Sequence, residues 1–256
     1  VYSLEMFSLK GRTALITGSG QGIGFELARG LAGAGAAVIL NDIDNEKLAK
    51  AAEKIRAEGA TVHELGFDVT DPAAVATAVD GFEADNGPID ILVNNAGMQF
   101  RAPLEEFPID RFDFMMRLNI NSAFYVGQAV AKHMIARGGG KIVNICSVQT
   151  ALARPSIAPY TASKGAMANM TKGMSTDWAK HGLQVNGLAP GYFKTELTSA
   201  LVADEEFTAW LSGRTPAGRW GDVSELVGAC VFLSSPAASF VNGHILYVDG
   251  GITVSL

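Results

Sequence analysis

Tyr160 and Lys164 stand four residues apart in Tyr160-Thr161-Ala162-Ser163-Lys164, a spacing that on a helix puts phenol and ammonium one turn apart on the same face. A tyrosine titrates near 10 and is a poor base at neutral pH, whereas a neighbouring cation favours its phenolate. The pair therefore predicts a proton-transfer site in which Lys164 lowers the Tyr160 pKa. Ser147 supplies a hydroxyl for the oxygen whose proton Tyr160 takes or gives, provided both reach the same substrate atom. Such a pair alone is weak evidence, because tyrosine and lysine share helix faces by chance. Its weight depends on the elements that position it.

The first of these elements is a short apolar run at residues 13–17, followed at once by Gly18-Ser19-Gly20-Gln21-Gly22-Ile23-Gly24 and a helical segment at 25–33. Strand, glycine turn and helix form the setting in which a backbone can approach a pyrophosphate and a helix N-terminus can meet its charge. Gly18, Ser19, Gln21, Gly22, Ile23 and Gly24 are thus candidate dinucleotide contacts. A second strand at 37–41 ends at Asp42, 18 residues beyond Gly24. An acid there accepts hydrogen bonds from the adenosine ribose hydroxyls and repels a 2′-phosphate, so Asp42 leans toward NAD over NADP. Residues 45–59 carry a helical apolar pattern that serves only as a crossover.

A third strand is expected at 61–67, leading to Asp68 and Val69 at the adenine, with Thr70 or Asp71 capping a helix that begins near Pro72. The fourth strand, 89–94, runs into Asn95-Ala96-Gly97, where small residues let the backbone lie against a cofactor. Residues 110–134 predict one long helix interrupted by Asn119 and Asn121. Strands at 141–145, 184–188 and 244–248 complete the set, the sixth leading to Pro190-Gly191. Strands alternating with helices predict a Rossmann-type, doubly wound α/β fold with a seven-stranded, largely parallel sheet and helices on both faces. The glycine turn, Asp42, Asp68, Asn95, Ser147 and Pro190 then all fall at carboxyl ends of strands, where open α/β sheets bind ligands.

Composition narrows the function. The chain has 256 residues, 48% of them hydrophobic, enough for one cored domain, expected over 7–256. A net charge of −6 without a basic run argues against a nucleic-acid partner. No apolar stretch reaches membrane-spanning length and residues 1–10 lack a signal-peptide pattern, so a cytoplasmic protein is expected. Cys146 and Cys230 read as buried free thiols, and the four histidines have no metal-ligand spacing. Phe193, Leu197, Leu201, Phe207 and Trp210 pattern a small helical cap at about 192–214. Arg101 and Arg154 are candidates for a substrate carboxylate, since a guanidinium grips one with two parallel hydrogen bonds, and Gln99 and Gln149 for hydroxyls.

Taken together, the glycine turn, Asp68, Asn94-Asn95-Ala96-Gly97, Asn119, Ser147, Tyr160 with Lys164, and Pro190-Gly191 resemble the short-chain dehydrogenase/reductase family. The resemblance implies that Tyr160 is the general acid/base and that Lys164 lowers its pKa and holds the nicotinamide ribose. Ser147 would orient the substrate oxygen, Asn119 anchor a water in the proton relay, and Thr195 contact the nicotinamide amide or the phosphates. Further runs, among them residues 184–196 and Phe240-Val241-Asn242-Gly243-His244, resemble a branch that interconverts D-gluconate and 5-keto-D-gluconate with NAD or NADP. A small sugar-acid substrate and a homotetramer follow from that resemblance. A 3-ketoacyl thioester reductase, a sugar-alcohol dehydrogenase and a non-catalytic dinucleotide-binding module are the alternatives, and the last should have lost Tyr160 or Lys164.

Overall fold

The short aliphatic runs line up side by side in the computed structural model, which describes residues 3–256 and, within them, everything but the side chain of Leu197. The strands are Thr13–Ile16 (β1), Ala37–Leu40 (β2), Val62–Glu64 (β3), Ile91–Asn94 (β4), Gly140–Ile145 (β5), Leu183–Pro190 (β6), Phe193–Lys194 (β7), Gly221–Asp222 (β8) and Ile245–Val248 (β9). Seven of them form one sheet in the order β3-β2-β1-β4-β5-β6-β9, and every pairing is parallel. The chain reverses its direction of travel between β1 and β4. At that switch point the connections lead to opposite faces and leave a crevice beyond the strand ends.

Gly22–Gly33 (α1), Asn45–Ala57 (α2), Pro72–Asn86 (α3), Ile109–Met116 (α4), Ser122–Arg137 (α5), Ala158–Trp178 (α6), Ser199–Val202 (α7), Glu205–Arg214 (α8) and Val227–Ser234 (α9) make up the helices. Strand side chains alternate between two cores, as a two-residue period requires. Ala14, Ile16, Val38 and Leu40 pack with Leu27, Leu31 and Leu233 on one face, and Leu15, Ile39 and Leu92 pack with Val79, Val126 and Val130 on the other. Helix starts are fixed by side chains: Asp44 accepts the amides of Glu46 and Lys47, and Asp71 those of Ala73 and Ala74. Each cap contributes about 1 kcal/mol.

Two expectations are corrected, and one element is new. The strand expected at 61–67 pairs only over Val62–Glu64, because Asn41 Nδ2 takes the carbonyls of Leu65 and Phe67 and draws the chain off the sheet toward Asp68. The long helix expected at 110–134 is α4 and α5 joined through a π-helical turn, Arg117–Asn121. Its wider winding turns Asn119 inward, where the side chain is buried. The β7–β8 pair was not foreseen, two residues per strand being too short to leave a period. Both cysteines are buried free thiols, as expected. No helix among the described residues is long and apolar enough to cross a membrane.

Candidate active site

The carboxyl ends of the central strands open onto one cavity of about 530 Å³, lined by Gly18, Asp42, Asp68, Asn95, Ser147 and Tyr160 among others. Its floor at the switch point is built from backbone. Gly18 has φ +60° and Gly22 has φ +62°, a left-handed conformation that glycine adopts without strain. A Cβ on Gly18 would lie 2.9 Å from the Ala96 Cα, and one on Gly24 would lie 2.4 Å from both Asn95 Nδ2 and the Gly18 carbonyl oxygen. Asn95 locks the turn by donating to the Thr17 and Gly18 carbonyls at 2.9 Å each, while Thr17 Oγ1 accepts from the Asn95 and Ala96 amides. The result is a cradle bare of side chains at the N-terminus of α1, whose unpaired amides and dipole suit a pyrophosphate.

Gln21, Ile23, Val69, Ala96, Gly97, Pro190 and Gly191 line the same cavity. Ser19 is turned away from it: fully buried, it donates to the Ile16 carbonyl and accepts from the Asn41 amide, bracing the turn against β2. Asp42 keeps its place at the end of β2, with one carboxylate oxygen accepting from the Gly20 amide and the other from the Asp44 amide. Asp68 Oδ1 accepts from the amide and hydroxyl of Thr70 at 2.8 Å each, which fixes the loop at the far end.

Ser147, at the end of β5 with its Oγ accepting from the Gln149 amide at 3.2 Å, and Tyr160, in the first turn of α6, line the cavity beside that floor. Lys164 is buried one turn further on and donates from Nζ to the Ile145 carbonyl at 2.7 Å. Its Nζ lies 5.8 Å from the centre of the Tyr160 ring. Burial pushes the Lys164 ammonium down to about 8, and the nearby Cys146 opposes this. Burial also pushes the Tyr160 phenol up, the Ser147 hydroxyl pulling it back and Cys146 adding to the rise. The Ser147 hydroxyl favours the phenolate against burial, and an ammonium with a pKa of about 8 stays mostly protonated at neutral pH one helical turn from the phenol.

Asn119 reaches the site from the π turn. Its Oδ1 accepts from the Met98 amide at 2.8 Å, and its Nδ2 donates to the Met98 carbonyl and to Ser163 Oγ at 3.0 Å each. The amide thus fastens the segment after β4 to α6 directly ahead of Lys164.

Arg101 and Arg154 line the same cavity from separate loops, after β4 and after β5. The loops are clipped together by the Ala102 amide donating to the Ser156 carbonyl at 3.3 Å. Burial and then the Arg154 charge push the Arg101 guanidinium below its ordinary value, while Tyr192 opposes them. Among the described residues neither arginine has a carboxylate within 4.0 Å. Gln149 lies between them and Ser147, buried, with its Oε1 3.5 Å from Thr161 Oγ1.

A family model described as enoyl-(acyl carrier protein) reductase matches residues 18–253. The chain is 64% identical over 252 residues to gluconate 5-dehydrogenase of Gluconobacter oxydans (strain 621H), covering 98% of each. It is 54% identical to 5-keto-D-gluconate 5-reductase of Escherichia coli (strain K12), covering 98% of this chain and 99% of that one. The crystal structure of a gluconate 5-dehydrogenase from Burkholderia cenocepacia J2315, in complex with NADP and tartrate, superposes with a TM-score of 0.97 at 59% identity over 100% of both chains. The chain belongs to the short-chain dehydrogenase/reductase family.

As a short-chain dehydrogenase/reductase it is an NAD(P)-dependent oxidoreductase acting on CH–OH groups. Within that frame the sequence left two residues unassigned. Tyr192 lines the cavity between the two arginines and Tyr160, and burial pushes its phenol up against the lowering charges of Arg154 and Arg101. Its place directly after Pro190-Gly191, at a strand end, was the available signal. Lys47 also lines the cavity, but on α2 it is one surface lysine among several and nothing in the sequence singles it out. Thr195 lines the cavity while its hydroxyl closes a capping box with Thr198.

Proposed function

We propose that this enzyme interconverts D-gluconate and 5-keto-D-gluconate, with Tyr160 exchanging the proton of the C5 oxygen. The observation that carries the reading is the convergence of Arg101 and Arg154, without a protein carboxylate to neutralise them, at the end of the cavity that holds Ser147 and Tyr160. Two like charges are costly to hold near one another, and a substrate carboxylate between them removes that cost. The activities by which the Gluconobacter and Escherichia relatives are named support the same substrate, and the tartrate bound to the Burkholderia relative is itself a hydroxy acid.

In this reading the glycine cradle, Asp42, Asp68, Val69, Asn95, Ala96, Gly97, Pro190, Gly191 and Thr195 hold the dinucleotide. Bound there, NAD(P) supplies or accepts the hydride. Ser147 donates to the substrate oxygen, Lys164 steadies the Tyr160 end of the site, and Asn119 keeps Met98 and α6 in register. Arg101 and Arg154 hold the carboxylate, with Gln149 and Gln99 on hydroxyls, so that C5 faces Tyr160. Asp42 favours NAD. Lys47, on the same wall, offers a 2′-phosphate a cation, so both dinucleotides are accepted.

Absorbance at 340 nm with gluconate and with 5-keto-D-gluconate, each with NAD and NADP, tests the assignment. Turnover with these acids and not with sorbitol or a 3-ketoacyl thioester is expected, and no turnover with either acid overturns it. We also place the enzyme in the cytoplasm as a homotetramer. The buried free thiols support the former, and the exposed Ile109, Phe112, Phe114 and Phe124 of α4 and α5 and the exposed Phe240, Val254 and Leu256 support the latter. Light scattering in solution reads the assembly.

A further inference from the structure

Arg154 has two faces, and gripping a sugar-acid carboxylate occupies only one of them. Its guanidinium carbon lies 5.1 Å from the centre of the Phe207 ring and 6.0 Å from that of Tyr192. Phe207 belongs to α8, which follows α7, and Leu201 of α7 lines the cavity. Tyr192, Phe207 and Trp220 cluster with ring centres 5.9–6.0 Å apart, tilted or edge-on, and Trp210 lies 5.3 Å from Phe207. Within α7 and α8 Leu211 alone is buried, packed with Val148, Trp220 and Ile252. Elements held by so few buried contacts open at low cost. The loop that carries Arg154 is strained, with Ser156 at φ +67°, and it is clipped to the Arg101 segment through Ala102. One side chain thus joins the carboxylate end of the cavity to the aromatic cluster around Phe207.

Building on the sugar-acid assignment, we propose that Arg154 is a positioning residue that latches α7 and α8 over the cavity in response to a bound carboxylate. With no anion between them, repulsion from Arg101 works against the Arg154 position. A carboxylate between the guanidiniums reverses that repulsion and stabilises the contact Arg154 already makes with Phe207 and Tyr192, whose rings attract its charge. Closing the helices excludes water from the reacting carbon. A polyol of the same length but without the carboxylate leaves the latch unset, so discrimination between acid and alcohol falls on kcat as well as on KM.

Trp210 and Trp220 flank Phe207, so tryptophan fluorescence reads the latch directly. The experiment uses the NADP-loaded enzyme with the Tyr160→Phe substitution, so that no reduced dinucleotide forms during titration. Gluconate is expected to give a saturable emission change and sorbitol none. Arg154→Ala should abolish the change while leaving gluconate binding, seen by calorimetry, within about tenfold through Arg101. In the otherwise wild-type enzyme Arg154→Ala should lower kcat about tenfold or more, and Arg154→Lys, which keeps charge without the planar face, should restore KM better than kcat. Phe207→Leu, which preserves apolar packing, should reproduce the loss of the emission change if Arg154→Ala fails to fold. An emission change that persists in a folded Arg154→Ala or Phe207→Leu enzyme, or that sorbitol produces equally, overturns the proposal. Failure of the substrate assignment looks different: gluconate is then not turned over, while another hydroxy acid still sets the latch.

Discussion

The two ends of the cavity are built on opposite principles. At the dinucleotide end the wall is backbone, and the polar side chains that shape it already have protein partners: Asn95 on the turn carbonyls, Asp42 on Gly20 and Asp44, Asp68 on Thr70. At the substrate end the wall is side chain, and Arg101 and Arg154 face one another without a counter-ion. The first end is complete before its ligand arrives, which lowers the ordering cost of binding. The second is completed by its ligand, which makes the ligand's charge a condition of a stable site. Tyr160 sits where the two meet, so substitutions there and to either side should separate cleanly.

The largest effect is expected at the junction. Tyr160→Phe removes the proton donor and leaves both walls, so kcat should fall by about 10²–10⁴-fold while dinucleotide affinity by calorimetry stays within about twofold. A variant that keeps full activity contradicts the role assigned to Tyr160. Next comes the preformed end. Gly24→Val places a side chain against the Gly18 carbonyl, backbone that cannot yield, and against the Asn95 amide that locks the turn, so dinucleotide binding should weaken beyond detection and thermal stability fall by about 1–3 kcal/mol. The induced end should respond more mildly and in another parameter. Arg101→Ala should raise KM for gluconate about 10–100-fold, the range of one charged hydrogen-bonded contact, with the KM for dinucleotide unchanged.

That difference also governs how much was readable from the chain. Gly18, Gly22, Gly24 and Asp68 are named by local sequence, because each acts through its own backbone or a neighbour two residues away, whereas Asn95 was found from the small residues beside it and its bonds to Thr17 and Gly18 were not. The sheet was legible for the same reason, its strands being short aliphatic runs followed by glycine or polar residues. The π turn at Arg117–Asn121 was not. It exists because Asn119 binds Met98 and Ser163, and neither partner can be paired with it from one sequence. The site electrostatics were legible in part: a four-residue spacing announces that Lys164 is near Tyr160, whereas the burial that pushes both away from their charged forms depends on the whole fold. Lys47 went unread because it is one lysine among several on α2, and the contact of Arg154 with Phe207 because the two are distant in sequence.

Electrostatics at the junction give a smaller test with a definite sign. The Ser147 hydroxyl lowers the Tyr160 pKa against the rise due to burial, so Ser147→Ala should move it upward. Oxidation needs the phenolate and reduction needs the phenol. The pH profile for gluconate oxidation should shift to higher pH in this variant, and the alkaline decline of 5-keto-D-gluconate reduction should shift the same way. A shift to lower pH, or none, would show that another group sets the titration.

The smallest effect asks whether an unpaired cation must mean a ligand at all. Lys141 opens β5 at the amino edge of the sheet, far from the cavity, and its Nζ is buried without a hydrogen-bond partner. Burial and then the Arg12 charge push its ammonium down to about 8 from 10.5. A lysine depressed in the folded state binds fewer protons there than in the unfolded chain between those values, so wild-type stability rises with pH through that window and bears the full penalty below it. Lys141→Met keeps the apolar stem and removes the ammonium. It should stabilise the protein by about 1 kcal/mol at pH 7, as read from urea midpoints, and the advantage should shrink toward pH 10 while activity stays constant. Arg101→Ala, in contrast, relieves repulsion and costs activity. An unpaired cation in a cavity at the strand ends is kept for its ligand, whereas one at the opposite edge is a tolerated burden, and the two substitutions should part on activity alone.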